Sequence, residues 1–249
     1  MPNAPETLVA LLAVASIGAV FSSCSPDFGV KGVLDRFGQI EPKVLIACDG
    51  YYYNGKRFEI GEKLAEIVPQ MPSVELVLIA DYLGQSGQTA DALDKAQTLA
   101  AAMNAHVPGE IEFTRVPFNH PVYIMYSSGT TGVPKCIVHA AGGALLQQVK
   151  EHALHCDVKA GDRVFYFTTC GWMMWNWLVA ALACEATILL YDGSPFAPDG
   201  NVLFDYAQAE GMTFFGTSAK YIDALKKNDM RPRDTHDLSK LRTMASTGS

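Results

Sequence analysis

The residues between 127 and 135 combine hydroxyl side chains, glycines and a lysine in a pattern suited to binding phosphate. The hydroxyl and glycine positions are Ser127, Ser128, Gly129, Thr130, Thr131 and Gly132. Glycine can adopt a positive φ, so successive backbone N–H groups can turn inward and form a concave anion site. The hydroxyls can donate further hydrogen bonds, and Lys135 supplies a positive charge. The run predicts a polyphosphate-binding loop, with Lys135 and Thr130 as candidate catalytic residues.

The spacing of this loop differs from that of the P-loop. In G-x-x-x-x-G-K-[ST] the lysine directly follows the second glycine, whereas Lys135 comes three residues after Gly132. Surface loops are also commonly built from Ser, Thr and Gly. An ordinary loop joining two strands is therefore an alternative interpretation of the SGTTG segment taken by itself.

Apolar strands alternate with helical segments on both sides of this loop. Strands are predicted at 43–49, 74–80, 122–126, 163–169, 186–192 and 212–218, and helices at 30–37, 61–68, 88–105, 141–155, 172–183 and 219–227. Such alternation is typical of parallel sheets covered on both faces. The predicted fold class is α/β, with mostly parallel sheets flanked by helices. A tight hairpin is predicted at Asn54-Gly55 and a subdomain boundary near 103–121.

Composition limits the classes of partner. The formal net charge is −7, which argues against a nucleic-acid partner because binding the phosphate backbone requires a basic surface. The six cysteines form no C-x-x-C pair, so we expect reduced thiols in a cytoplasmic protein. His152 and His155 have no third ligand in the sequence pattern. They are interpreted as surface or helix-face residues, and no metal site is predicted.

The apolar run from Leu8 to Cys24 has the appearance of a secretory signal, but its flanks do not fit one. The residues before it carry no positive charge and include Glu6, whereas a signal peptide begins with Lys or Arg. The run is also too short to span a bilayer, which requires about 20 residues. Pro5 followed by Glu6 instead favours the start of a buried helix, and no membrane partner is predicted.

The longer segment YSSGTTGVPK, residues 126–135, followed by His139 and Gly142-Gly143, resembles the phosphate loop of adenylate-forming enzymes. That superfamily includes acyl-CoA synthetases, luciferases and the adenylation domains of peptide synthetases. The similarity extends over essentially the whole chain. It implies that residues 1–249 are part of the large N-terminal adenylation domain, in which Ser127 to Gly132 and Lys135 grip the β- and γ-phosphates of ATP. His139 would pack under the loop or orient it.

The segment TTCGWMMWNW, residues 168–177, is similar to the family block that forms one wall of the acid pocket. Its aromatic-rich form, with the closing ASTGS, most resembles the acetoacetate–CoA ligases. The resemblance implies that Trp172, Met173, Met174 and Trp175 bind the acid and that Gly248 contacts the nucleotide. Core packing is an equal alternative for Trp175 and Trp177, because aromatic residues at helical spacing are usually buried.

The resemblance implies a two-step reaction with ATP, Mg²⁺ and CoA. Acetoacetate would attack the α-phosphate to give an acyl-adenylate and pyrophosphate, and the CoA thiol would then displace AMP. Acetate or propionate remain alternative acids. The family's later motifs for the ribose, the adenylate and the mobile C-terminal domain are absent from the sequence. We therefore expect an internal fragment that is inactive alone, and a module that binds nucleotide weakly without catalysis is the alternative function.

Overall fold

The computed structural model describes residues 1–127 and 132–247. The chain divides into two compact units, one formed by Met1–Tyr52 with Arg57–Gly142 and the other by Tyr53–Lys56 with Gly143–Ser249. Segment 103–121 lies within the first unit. A subdomain boundary in that segment stays a prediction.

The chain up to Gly142, apart from the hairpin tip Tyr53–Lys56, contains the elements of the first unit. Its helices are α1 (Pro5–Ser16), α2 (Val30–Phe37), α3 (Gly61–Ile67), α4 (Ser86–Asp91) and α5 (Leu99–Asn104). Its strands are β1 (Phe21–Ser22), β2 (Val44–Cys48), β3 (Gly50–Tyr53), β4 (Lys56–Glu59), β5 (Leu76–Ala80), β6 (Ala96–Thr98), β7 (Pro121–Tyr126) and β8 (Cys136–Ala140). A 3₁₀ turn, Val68–Gln70, follows α3.

The strands of the first unit form separate sheets. One has the order β2-β5-β6 and is parallel throughout, as the alternation of strands and helices predicts. Another has the order β1-β7-β8, in which β1 and β7 are parallel but β7 and β8 are antiparallel. Nine residues separate β7 from β8, which is fewer than the dozen or more that a crossover between parallel strands requires, so the two strands pair antiparallel. The core of this unit lies between β2, β5 and α3, around Val77, Ile79 and Ile67.

The hairpin prediction at residues 54 and 55 is confirmed. Asn54 has φ of 51° and Gly55 has φ of 73°, and they connect β3 to β4. Positive φ at both central residues is the geometry that Asn-Gly favours, because its twist matches that of the flanking strands.

The predicted helix over 88–105 is wrong in its middle. The structure has two short helices, α4 and α5, separated by β6, which pairs in parallel with β5. Lys95 adopts φ of 58° just before β6, and its carbonyl accepts a hydrogen bond from the N–H of Val77. The high helix propensity of the alanines is overridden because pairing with a buried strand satisfies the backbone of β6.

The second unit contains the remaining elements. Its helices are α6 (Ala141–Lys150, which begins at the end of the first unit), α7 (Met173–Ala180), α8 (Val202–Glu210), α9 (Ala219–Lys227) and α10 (Pro232–Thr235). Its strands are β9 (Arg163–Tyr166), β10 (Thr187–Leu189), β11 (Phe214–Ser218) and β12 (Thr243–Thr247). A π-helical turn, Glu151–His155, extends α6, and a 3₁₀ turn, Ala181–Cys184, extends α7.

The sheet of the second unit is parallel, with the order β10-β9-β11-β12. Successive residues of β9 and β11 point to opposite faces of the sheet. Because helices cover both faces, the residues on each face are apolar. Val164, Tyr166 and Phe214 pack with α7 on one face. Phe165 and Phe215 pack with α8 and α9 on the other. The predicted α/β class, with parallel sheets flanked by helices, is confirmed.

Within residues 1–127 and 132–247, no helix is both long enough and apolar enough to cross a bilayer.

Candidate functional site

The predicted phosphate loop connects β7 to β8 in the first unit. The strands pair up to Tyr126 and Cys136, and the loop closes directly after them. The N–H of Ser127 donates to the carbonyl of Lys135 at 3.0 Å, and the N–H of Lys135 donates to Oγ of Ser127 at 3.1 Å. These two bonds join the first and last residues of the loop, so the backbone of Lys135 is held in place.

The described flank of the loop has the properties that the sequence predicts for an anion site. Gly132 has φ of +105°, a backbone conformation that residues other than glycine rarely adopt. Lys135 is exposed, and in the described part of the chain its ammonium group pairs with no carboxylate. Pro134 is buried, and its carbonyl accepts a hydrogen bond of 2.8 Å from Nε2 of Gln39. Gln39 follows α2 and is a support for the loop that sequence reasoning missed.

Several of the predicted site residues lie outside the described residues. They are Ser128, Gly129, Thr130, Thr131 and Gly248. Their proposed contacts with nucleotide, and the catalytic role of Thr130, stay predictions.

His139 and Tyr126 lie on the strands that carry the loop. The His139 ring packs on Tyr123 with centroids 5.0 Å apart, and burial lowers the pKa of His139. The Tyr126 hydroxyl lies 2.9 Å from Oγ of Ser22, and burial raises its pKa. Each packs against a neighbouring strand, β7 or β1, and so stiffens the sheet beneath the loop.

The strand order of the second unit contains the reversal at which parallel sheets commonly bind ligands. The chain passes from β9 to β10 on one side and later returns to β11 on the other side of β9. Ligands of open α/β sheets bind at such a reversal, beyond the carboxyl ends of the strands. The next element after β9 is α7, and Trp172 and Met173 at its start lie at this edge, where they are 55% and 49% exposed.

The remaining predicted acid-binding residues are less accessible. Met174 is half-buried against the core on the α7 face, and Trp175 is fully buried. Trp177 is also buried and contacts Tyr166 and Phe214. The burial of Trp175 and Trp177 agrees with the core-packing alternative, and the contact of Trp175 with an acid stays a prediction.

Buried hydroxyls near the same edge were not anticipated from the sequence. Thr169 follows β9, Thr217 lies near the end of β11, and Tyr221 lies in the first turn of α9. Their hydroxyl oxygens are buried and have no hydrogen-bond partner in the part of the chain that the structure describes. Buried polar groups are normally satisfied, so partnerless hydroxyls suit a site where water or a ligand completes the bonding.

His152 differs from its interpretation as a surface or helix-face residue, because it is 0% exposed. Its Nε2 donates to the carbonyl of Trp177 at 2.7 Å, and its ring packs on the Trp177 indole at 3.9 Å between centroids. The neighbouring His155 is exposed, as predicted. The π-helical turn places the two histidines in different surroundings, which a spacing of three residues in a regular helix does not indicate.

In the described ranges, no group of three or more His, Cys, Asp or Glu side chains is placed to hold a metal ion. All six cysteines are free thiols. Burial raises the pKa of the Cys24 thiol to about 12.

Comparison with known proteins gives relatives over the whole chain. Acetoacetyl-coenzyme A synthetase of Rhizobium meliloti (strain 1021) is 59% identical over 249 residues, and acetoacetyl-CoA synthetase of Danio rerio is 46% identical over 254. The solved structure of acetoacetyl-CoA synthetase from Streptomyces lividans superposes with a TM-score of 0.93 at 43% identity. Each comparison covers 100% of this chain and 38% of the relative.

The profile of the family described as AMP-binding enzyme matches residues 1–249. The matched residues include the loop at 127–135 and the exposed segment at the start of α7. The chain belongs to the AMP-binding enzyme family.

Proposed function

We propose that this chain is the phosphate-gripping part of an ATP-dependent acid–CoA ligase that activates acetoacetate. The observation that carries the proposal is the 59% identity, over the whole chain, to a protein named acetoacetyl-coenzyme A synthetase. The chain spans 38% of that relative's length. The activity is therefore proposed for the longer protein, and the 249 residues alone are proposed to be inactive.

The proposed reaction has two steps. The acetoacetate carboxylate attacks the α-phosphate of ATP, which releases pyrophosphate and leaves acetoacetyl-adenylate. The CoA thiol then attacks the acyl carbon, AMP leaves, and the thiol proton passes to solvent. Negative charge accumulates on the departing phosphates in the first step, so groups that are already oriented toward them lower the barrier.

The loop at 127–135 suits the departing pyrophosphate. Its base is closed by Ser127 and Lys135, and the exposed Lys135 ammonium is free of competing carboxylates in the described ranges. Lys135 and the hydroxyls of Ser128, Thr130 and Thr131 would hold the β- and γ-phosphates. Mg²⁺ would accompany the triphosphate and neutralise part of its charge.

The acid is proposed to bind at the carboxyl edge of the second unit's sheet. Trp172 and Met173 are exposed there and offer apolar surface for a short acid. Met174 and the buried Trp175 would shape this wall from behind. The hydroxyls of Thr169 and Thr217, which have no hydrogen-bond partner among the described residues, are polar groups near the same edge. A cytoplasmic location is proposed from the six free thiols, which fit a reducing compartment.

The test is acid-dependent exchange of labelled pyrophosphate into ATP by the longer protein. Exchange with acetoacetate that exceeds exchange with acetate and propionate would support the proposal. Faster exchange with acetate or propionate would assign a different short-acid ligase. Nucleotide binding without exchange for any acid would favour the alternative of a non-catalytic nucleotide-binding module.

A further inference from the structure

Tyr166, the last residue of β9, connects three neighbouring strands through its hydroxyl. The hydroxyl donates to the carbonyl of Thr217 in β11 at 3.0 Å. It also lies 3.0 Å from Oγ1 of Thr247 in β12. Because a carbonyl can only accept, the Tyr166 proton points to Thr217, and the Thr247 hydroxyl must donate to the phenol oxygen.

Gly216 creates the space for this arrangement. It pairs with Tyr166 across the β9–β11 ladder, and a Cβ at residue 216 would lie 2.1 Å from Cδ2 of the Tyr166 ring. The ring is 3% exposed and packed against Trp177 in a T-shaped contact, so a methyl at residue 216 would force the ring out of this position. Only glycine at this position lets the phenol cross β11 and reach β12.

Thr247 is the last described residue of β12. In the described residues β12 is the outermost strand of the order β10-β9-β11-β12 and pairs with β11 alone. Met244, Ser246 and Thr247 are exposed. Segments with few buried contacts open most readily, so a side-chain bond at the exposed Thr247 contributes to the local order of β12.

Tyr166 and Thr247 each precede a segment of this unit that is predicted to bind substrate. Tyr166 begins the connection to Trp172, and Thr247 immediately precedes Gly248. We propose that Tyr166, for whose ring Gly216 leaves space, is a positioning residue. By holding Thr247 of β12 to β9 and β11, it sets the shape of the acid-binding edge and thereby the choice of acid. This inference rests on the proposed function.

The test uses the longer protein with Tyr166→Phe, which keeps the ring and removes both hydrogen bonds. The ratio of kcat/KM for acetoacetate to that for propionate is expected to fall about tenfold, the equivalent of about 1.4 kcal/mol. Amide hydrogen exchange in 243–247 is expected to become faster. If Tyr166 has a merely structural role, the substitution will lower kcat/KM for both acids equally and leave their ratio unchanged. That result would overturn the proposal.

Tyr206→Phe is the matched control. Tyr206 also donates to a backbone carbonyl, that of Leu190 at 3.1 Å, and it packs on Phe165 in the separate aromatic cluster on the opposite face of the sheet. The Tyr206→Phe substitution should leave unchanged both the ratio of kcat/KM for acetoacetate to that for propionate and the amide hydrogen exchange in 243–247. Gly216→Ala should reproduce the Tyr166→Phe ratio without removing any hydroxyl, because the new methyl displaces the ring.

The exchange measurement separates this inference from the proposed function. If wild-type protein does not use acetoacetate, the proposed function fails, while faster exchange in 243–247 of Tyr166→Phe would still show that the phenol holds β12. Unchanged exchange in that variant would overturn the inference whatever the activity of the wild type.

Discussion

His152 should make the stability of the second unit dependent on pH between 5.5 and 7.5. It is fully buried, and its Nε2–H donates to the Trp177 carbonyl. That carbonyl is available because the N–H of Ala181 bonds to Leu178 where α7 tightens into a 3₁₀ turn. Nδ1 of His152 has no partner in the described part of the chain, so a proton added there would be buried without an acceptor.

The sign of the effect follows from the pKa. Burial lowers the pKa of His152 in the folded state, while the bond to Trp177 and the charge of Glu151 oppose that shift. The unfolded chain therefore takes up a proton more readily than the folded one. The stabilising contribution is fully present above the unfolded pKa of about 6.5, and it is lost as the pH falls toward the folded pKa. If His152 stays neutral, the loss between pH 7.5 and pH 5.5 is about 1.4 kcal/mol.

Tryptophan fluorescence reports on this unit alone, because the three tryptophans of the chain are Trp172, Trp175 and Trp177. The urea midpoint is expected to fall by about 0.5–1.4 M over this pH range through His152. The variant His152→Gln can still donate an amide hydrogen bond but does not titrate, so its midpoint should vary less with pH by that amount. The exposed His155→Gln is the control and should behave as wild type. Equal pH dependence in wild type and His152→Gln would refute the reasoning.

Three further changes test other parts of the structure. Asp49 is 1% exposed and accepts hydrogen bonds from the N–H groups of Tyr82, Leu83 and Gln85. The substitution Asp49→Ala should cost about 3–5 kcal/mol and speed hydrogen exchange at 82–85, since one buried and two half-buried N–H groups lose their carboxylate acceptor; slow exchange there would contradict the assignment. Lys135→Ala in the longer protein should weaken pyrophosphate binding by about 10- to 100-fold, measured by isotope exchange, and acid binding much less; equal losses would argue against the loop's role. Cys24, whose pKa is raised to about 12, should react with iodoacetamide far more slowly in the native chain than in urea, as followed by mass spectrometry at neutral pH; equal rates would show that its surroundings are open.

The strands and most helices could be predicted because their patterns are local. Asn54-Gly55 specifies its turn through positive φ at both positions, and the apolar run 212–218 specifies a strand buried on both faces. The helix predicted over 88–105 was wrong in the middle because β6 is defined by its pairing with β5, a contact between residues distant in sequence. Propensity within the segment contains no information about that partner.

The candidate site was predicted in outline but not in its supporting contacts. The composition of 127–135 indicates phosphate chemistry, yet the closure of the loop by Ser127 and Lys135 depends on the register of β7 and β8. His152 was misassigned because burial depends on how the π-helical turn meets α7. The role of Gly216 is also invisible in sequence, since it is set by the Tyr166 ring on a neighbouring strand.

The most direct test of the proposed function is the product balance of the longer protein incubated with acetoacetate, ATP and CoA. The account predicts acetoacetyl-CoA and AMP in equal amounts, with pyrophosphate, because the acid is activated at the α-phosphate. Formation of ADP and phosphate, or of AMP without acetoacetyl-CoA, would contradict it.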